Sequence, residues 1–374
     1  MSFLKNLFGS NDKQVREEPI VFAELRSPNC PITAIVEQDN QVAYFYLWGD
    51  EDVEFGTKSC WIRNLGEAPN ETNLKQMEAG FPPMLTKSFC KFPAGQSPLK
   101  MEDLEIVWFE EGDGAALLEK DEIIAIIPSW AGVEGFPGYA RDCSADSAIC
   151  WELTPTNILY NRVKRAKEYW SLWDNEISPF QILQPELLRI YEETLGTSEK
   201  YYAIDGNEWP PRGLFLKSGE SKDVFVTVGL SLLPMPVVEM YSENPDEINR
   251  IELGFILNTG LPQSTLNTIG SWISGQAAIP WKNISWLGIG HTITFKILEN
   301  TKITAVILVK DLAVLPKLEL AAYRTSNVNV LWMIPITENE RNFVRDNGCK
   351  VLIEKLNNIG SEIFNIHREE LQLN

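Results

Sequence analysis

Residues 223–255 read DVFVTVGLSLLPMPVVEMYSENPDEINRIELGF. The stretch opens on Val224, Phe225, Val226 and Val228 and closes on Ile251, Leu253, Phe255 and Ile256. Two short runs of β-branched and aromatic residues predict two buried strands. Pro234 and Pro236, followed by an acidic loop over 242–246, join them. That connector is neither a tight Asn-Gly hairpin nor a crossover helix, so the fold must accommodate an irregular excursion between two core strands. Such a segment is a poor phosphate cradle and a poor nucleophile elbow.

The rest of the chain divides around this core. From 20 to 130, short apolar runs alternate with turn signals, clearest at 21–25, 32–36, 42–48, 60–65, 104–109, 115–118 and 123–127, with Asp113-Gly114 as a hairpin turn. A helix is expected over 155–173, capped by Thr154, with Pro155 at its first position. Its Arg162, Lys164, Arg165 and Lys167 form a basic cluster, expected as a solvated face with Tyr169, Trp170 and Trp173 inward. Residues 174–184 are the candidate domain boundary, and a second helix is expected from Pro185 to near Gly196. Further strands are expected at 201–204, 213–217, 292–297, 303–309 and 329–334, and a helix at 264–273 capped by Ser264. A last helix is expected from the Thr337/Glu340 capping box to about 356. The expected class is α+β in two domains: a tail over 1–18, a mainly antiparallel β domain with a C-terminal helix over 19–178, and a mixed sheet flanked by helices over 179–374.

The order T-x-G-L-S, P-M-P, R-I-E-L resembles the suppressor of fused family, through Thr227, Gly229, Ser231, Pro234, Met235, Arg250, Glu252 and Leu253. WLGIGHTITF at 286–295, with Gly290 and His291, and VLWMIPITENE at 330–340, with Pro335, are similar to later blocks of that family in the same order. The resemblance covers about 185–356 and implies a binding protein that is not an enzyme. Animal members sequester a transcription factor, and bacterial members resemble immunity proteins that neutralise toxins. Within that implication the motif residues are mainly structural.

The charge bears on the partner. The chain carries a net −19, and residues 101–150 hold 12 acidic against two basic side chains. That balance argues against a nucleic-acid backbone or an anionic membrane. It suits another protein, such as a basic toxin domain steered by complementary charge. The candidate contacts are Glu102, Asp103, Glu105, Glu110, Glu111, Asp113, Asp142 and Asp146, with Trp209 and Trp281 as loop tryptophans expected at the surface. The cleft between the two halves is a further candidate. Six cysteines without C-x-x-C or Cys/His spacing predict reduced thiols, no zinc and a cytoplasmic setting, and no apolar run is long enough to span a bilayer.

Catalytic readings are thin. His291 with Ser231 and a carboxylate could be drawn as a hydrolase triad, but Gly229-Leu230-Ser231-Leu232-Leu233 lacks the second glycine of an elbow. Gly288-x-Gly290 precedes a strand, which disfavours a dinucleotide. The acidic groups at 50–52 and 110–113 do not follow a calcium-loop spacing. No cofactor or metal is expected; the alternatives kept open are a hydrolase or transferase using His291, or a ligand-binding module using the loop tryptophans.

Overall fold

The computed structural model describes residues 16–373. The tail expected over 1–18 lies, but for its last three residues, outside them.

The N-terminal half begins with a four-stranded antiparallel meander: β1 (Ile20–Arg26), β2 (Ile32–Gln38), β3 (Val42–Gly49) and β4 (Thr57–Asn64). Burial alternates strictly along β2, because one face packs on the core while the other stays partly solvated. After the short α1 (Leu74–Glu78), a long irregular stretch leads to a second sheet. It holds β5 (Leu104–Trp108), β6 (Ala115–Glu119), β7 (Glu122–Ile127), β8 (Tyr139–Ala140) and β9 (Trp151–Glu152) in chain order, antiparallel except for β8 and β9. Helix α2 (Leu159–Trp173) lays Leu159, Val163 and Ala166 on Val107 and Phe109 of this sheet.

The C-terminal half opens with α3 (Pro179–Leu195). Its sheet comprises β10 (Lys200–Ala203), β11 (Gly213–Ser218), β12 (Lys222–Val228), β13 (Arg250–Asn258), then, beyond α4 (Gln263–Ala277) and α5 (Ile279–Lys282), β14 (Thr292–Thr294), β15 (Ile303–Val309) and β16 (Val328–Thr337). The order is β10-β11-β12-β13-β16-β15-β14, with only β13 and β16 parallel. Helices α6 (Glu338–Asn347) and α7 (Lys350–Asn358) follow. The α+β class with a mixed C-terminal sheet is therefore as expected. The sheet is covered on both faces: α3 and α7 pack against Phe215, Val226 and Trp332, while α4 packs against Leu214, Phe225 and Phe255. Double coverage explains why β12 and β13 read as apolar runs without alternation.

The largest apolar cluster is continuous across both halves, running from Ile32, Phe45 and Trp61 through Tyr169 to Leu214, Phe255 and Met333. No helix of the described residues is long and apolar enough to cross a membrane.

Five local expectations need correction, the first at α4, which begins at Gln263 so that Ser264 lies inside it and is not its cap. The stretch expected as a boundary over 174–184 contains the start of α3, where Ser178 and Gln181 form a reciprocal capping box and Pro179 takes the first turn. Pro185 therefore lies inside the helix. Helix α2 starts at Leu159, after a turn held by the Asn157 side chain accepting from the Leu159 amide at 3.0 Å. The last helix is two, because Gly348 adopts a left-handed conformation (φ 81°) between α6 and α7. In the β5–β6 hairpin the left-handed residue is Gly112 (φ 83°), which leaves Asp113 free to turn its side chain inward.

Candidate functional site: the cleft between the halves

Period-two alternation sorts the side chains of β13 into two sets. Ile251, Leu253 and Phe255 face the apolar cluster, and Arg250 and Glu252 face the connector. Glu252 is fully buried and accepts from the Thr227 hydroxyl (2.7 Å), the Gly229 amide (3.0 Å), and the Ser231 amide (3.1 Å) and hydroxyl (2.7 Å). Thr227 in turn accepts from the Leu253 amide at 2.7 Å. Gly229 is required here twice over. Its φ of 98° is left-handed, and a Cβ would stand 2.7 Å from the Phe180 ring. Burial pushes the Glu252 carboxyl up to about 7, against the pull of these hydrogen bonds.

Arg250 carries the arrangement across the molecule. Its guanidinium donates to the carbonyls of Ser231 (3.0 Å) and Leu232, and to Glu110 of the N-terminal half at 2.6 Å. Three further links follow the connector. The Val237 amide donates to Asp113 at 2.7 Å, Arg162 of α2 pairs with Glu239, and the Ser129 hydroxyl donates to Glu239. Arg162 also meets Glu111 at 3.1 Å and covers the Phe109 ring. Arg324 approaches Glu110 at 3.6 Å and donates to the Arg165 carbonyl at 3.2 Å.

Between these links lie two adjoining cavities of about 460 and 260 Å³ that share Glu111, Arg162, Arg165, Asp246 and Asn249. The larger has Met235, Val237 and Val238 among its walls and Ile158 at its rim, 78% exposed. Val237, a β-branched residue, is held at φ 55°, a strained conformation of the kind that concentrates at functional sites. Asn249 is buried, yet its Oδ1 accepts no hydrogen bond from the described residues. The cleft therefore offers apolar contact, both signs of charge and a desolvated acceptor.

Its electrostatics are tuned by burial. Asp113 is pushed up to about 7 by burial, with the Glu111 and Glu239 charges adding to it. Burial opposes ionisation of Glu111 too, but the Arg162 charge and hydrogen bond, a backbone hydrogen bond and the Arg250 charge together outweigh it and hold that carboxyl below its ordinary value. Burial pulls Lys58, which donates to the Ser129 carbonyl, down to about 8. A carboxyl raised on folding stabilises fully below its unfolded value and loses that contribution as pH rises through the folded value. Asp113→Asn keeps an acceptor for the Val237 amide but cannot ionise. Its cost relative to the parent is expected to shrink by about 3 kcal/mol between pH 4 and 7, as read by urea unfolding.

The sequence-derived contact residues disperse. Glu110 and Glu111 reach the cleft as structural ion-pair members. Asp113 and Asp142 are buried, the latter against Arg141 and Gln96, so neither forms part of an exposed acidic face. Glu102, Glu105 and Asp146 are exposed, while Asp103 is half-buried beside Lys120 and Glu105 pairs with Lys167. Trp209 is part-exposed and packs on Trp170 and Trp173. Trp281, expected in an exposed loop, is buried in α5 and donates to the Pro234 carbonyl at 3.0 Å. Proline fits the helix start that placed it there. The basic face expected on α2 is likewise corrected at Arg162, which is enclosed by Glu111 and Glu239.

The remaining motif residues support the frame. Gly290 (φ 88°) leaves no room for a Cβ beside Cys349, and the Pro335 carbonyl accepts from Arg368, which is paired with the buried Glu340. His291 accepts from the Gly288 amide, and its ring packs on Trp286. The Ser231 hydroxyl is committed to Glu252, and among the described residues no hydrogen bond joins His291 to Ser231 or to a carboxylate. Among those residues no group of three or more His, Cys, Asp or Glu could hold a metal. Sequence reasoning missed Glu239, Asn249 and Arg324. Glu239 lies on a single 3-10 turn over 238–240, and Asn249 and Arg324 lie in irregular segments, none with a periodic signal; only the Pro-rich connector hinted at such an excursion.

Residues 214–369 match the family described as Suppressor of fused protein (SUFU). The match begins later and ends later than the 185–356 read from the three blocks, and its end takes in Arg368. No curated protein matches the chain. Similar solved structures include a SUFU homologue from Neisseria gonorrhoeae (16% identity, TM-score 0.37, covering 50% of this chain and 96% of that one). Another is the Sufu–Fu complex (15% identity, TM-score 0.34, covering 51% and 91%).

Proposed function

We propose that this chain, which matches the suppressor of fused family over residues 214–369, is a protein-binding protein that takes a segment of its partner into the cleft between its halves. The observation that carries this reading is the cleft itself. An exposed Ile158 and an exposed Arg165 flank an apolar wall at a strained Val237, beside a buried acceptor on Asn249. Apolar anchors ringed by charge are what a docked segment needs. The halves 19–178 and 179–374 act together in this reading, because each supplies one wall.

The finer role we propose is immunity: neutralising a basic toxin domain in the cytoplasm by occlusion. The net −19 supports it, as do the exposed acids Glu102 and Glu105, which steer a basic partner. Six free cysteines suit a reducing compartment.

Co-expression with a growth-arresting basic toxin domain encoded beside this chain is expected to restore growth. Ile158→Lys with Arg165→Ala is expected to weaken binding at least thirty-fold, about 2 kcal/mol, with an unchanged melting temperature. Binding indifferent to that double substitution contradicts the cleft as the docking site. No rescue by any neighbouring toxin contradicts the immunity role.

A further inference from the structure

Four of the six cysteines converge in the N-terminal half: Cys60 on β4, Cys90 in the irregular stretch before β5, and Cys143 and Cys150 between β8 and β9. Cys60 lies within electrostatic reach of Cys143 and Cys150. Cys90 and Cys143 face each other in an isolated antiparallel bridge. The bridge is closed by the Lys91 amide on the Asp142 carbonyl (3.0 Å) and the Ser144 amide on the Phe89 carbonyl (2.8 Å). Because these bonds flank the pair, Cys90 and Cys143 are a non-hydrogen-bonded pair, the kind whose Cα atoms stand about 4.5 Å apart with side chains on one face. A disulfide accepts Cα separations of roughly 4.4–6.8 Å.

We propose that Cys143 is an oxidisable thiol and that Cys90, across this bridge, resolves it into a Cys90–Cys143 disulfide. The Cys143 thiolate attacks one oxygen of hydrogen peroxide, the O–O bond breaks, and hydroxide leaves with the electron pair, giving a sulfenic acid. The Cys90 thiolate then attacks that sulfur, the S–O bond breaks and a second hydroxide leaves. With the two thiol protons the products are one disulfide and two waters, the two sulfurs together losing two electrons to peroxide.

The surroundings assign the roles. The Cys143 thiol donates to the Ala145 carbonyl at 2.7 Å. The neighbouring Cys150 side chain holds Cys143 below the ordinary thiol value against burial, while burial drives Cys150 itself far up. Cys150 therefore stays protonated and positions Cys143 without attacking it. Burial raises Cys90 as well, and its raised value makes resolution the slower step. Cys90 and Cys143 are both buried, and residues 144–146, which follow Cys143 directly, are exposed, so the path for peroxide runs through this loop. The group is not a metal site among the described residues. The bond ties the irregular stretch between β4 and β5 to the loop after β8.

The test treats the reduced full-length protein with hydrogen peroxide, blocks free thiols and maps the peptides by mass. The expected result is a linked Cys90–Cys143 peptide short of two hydrogens, reversed by dithiothreitol. Cys90→Ser is expected to leave a sulfenic acid on Cys143 that dimedone traps, and Cys143→Ser to lose both link and adduct. A Cys143–Cys150 link, peroxide reacting first at another cysteine, or one equivalent of zinc in the reduced protein overturns the proposal.

Discussion

Glu252→Ala is expected to destabilise the protein by about 4 kcal/mol or more, because four buried donors lose their acceptor together and each orphaned donor costs about 1–3 kcal/mol. Glu252→Gln is the informative partner. Its amide oxygen still serves Gly229 and Ser231, and Thr227 can accept from the amide nitrogen, so the cost is expected near 1 kcal/mol at neutral pH. The pH dependence separates this account from a packing effect. Burial raises Glu252 from its ordinary 4.5 to about 7, so its contribution is complete below the unfolded value and lost as pH rises to the folded one. Urea unfolding is therefore expected to show the cost of Glu252→Gln falling between pH 4.5 and 7. A cost that grows with pH contradicts the assignment.

Arg250→Ala is expected to cost about 3–5 kcal/mol, the range for breaking one side of a buried pair. Among the described residues Glu110 is left with Arg324 at 3.6 Å as its ion pair, and the Ser231 and Leu232 carbonyls lose their donor. Arg250→Met with Glu110→Gln is expected to recover part of the loss, because no buried charge is then stranded. Additive costs contradict direct coupling between the halves through this pair. The loss also reaches binding in the proposed function, since Arg250 fixes the connector that walls the cleft.

The elements legible in the sequence are those written in short-range patterns. The two apolar runs became adjacent β12 and β13, and the Thr337/Glu340 capping box starts α6. Ser178-Pro179-x-Gln181 carried an equally local signal, yet the low periodicity of 174–184 hid it. Within the motif, Glu252 serves as a buried acceptor and Arg250 as a strut to Glu110. Burial was not legible for Asp113, Asp142 and Trp281, because an acidic turn or a Pro-Trp pair reads the same whether it faces water or a neighbouring segment. The cleft was legible only as a location. Its walls come from a hairpin loop near 111, a helix near 162 and a connector near 239, brought together by pairs such as Arg162–Glu239 that no sequence period encodes.

The most direct measurement is hydrogen exchange of the full-length chain, alone and saturated with the basic toxin domain that it is proposed to neutralise. The account predicts new protection in two separated segments, around 158–165 on α2 and around 235–249 on the connector, with the exposed acidic turn near 102–105 changing little. Protection confined to that acidic turn, or to the Trp209 loop, with the two cleft walls exchanging as before, contradicts it.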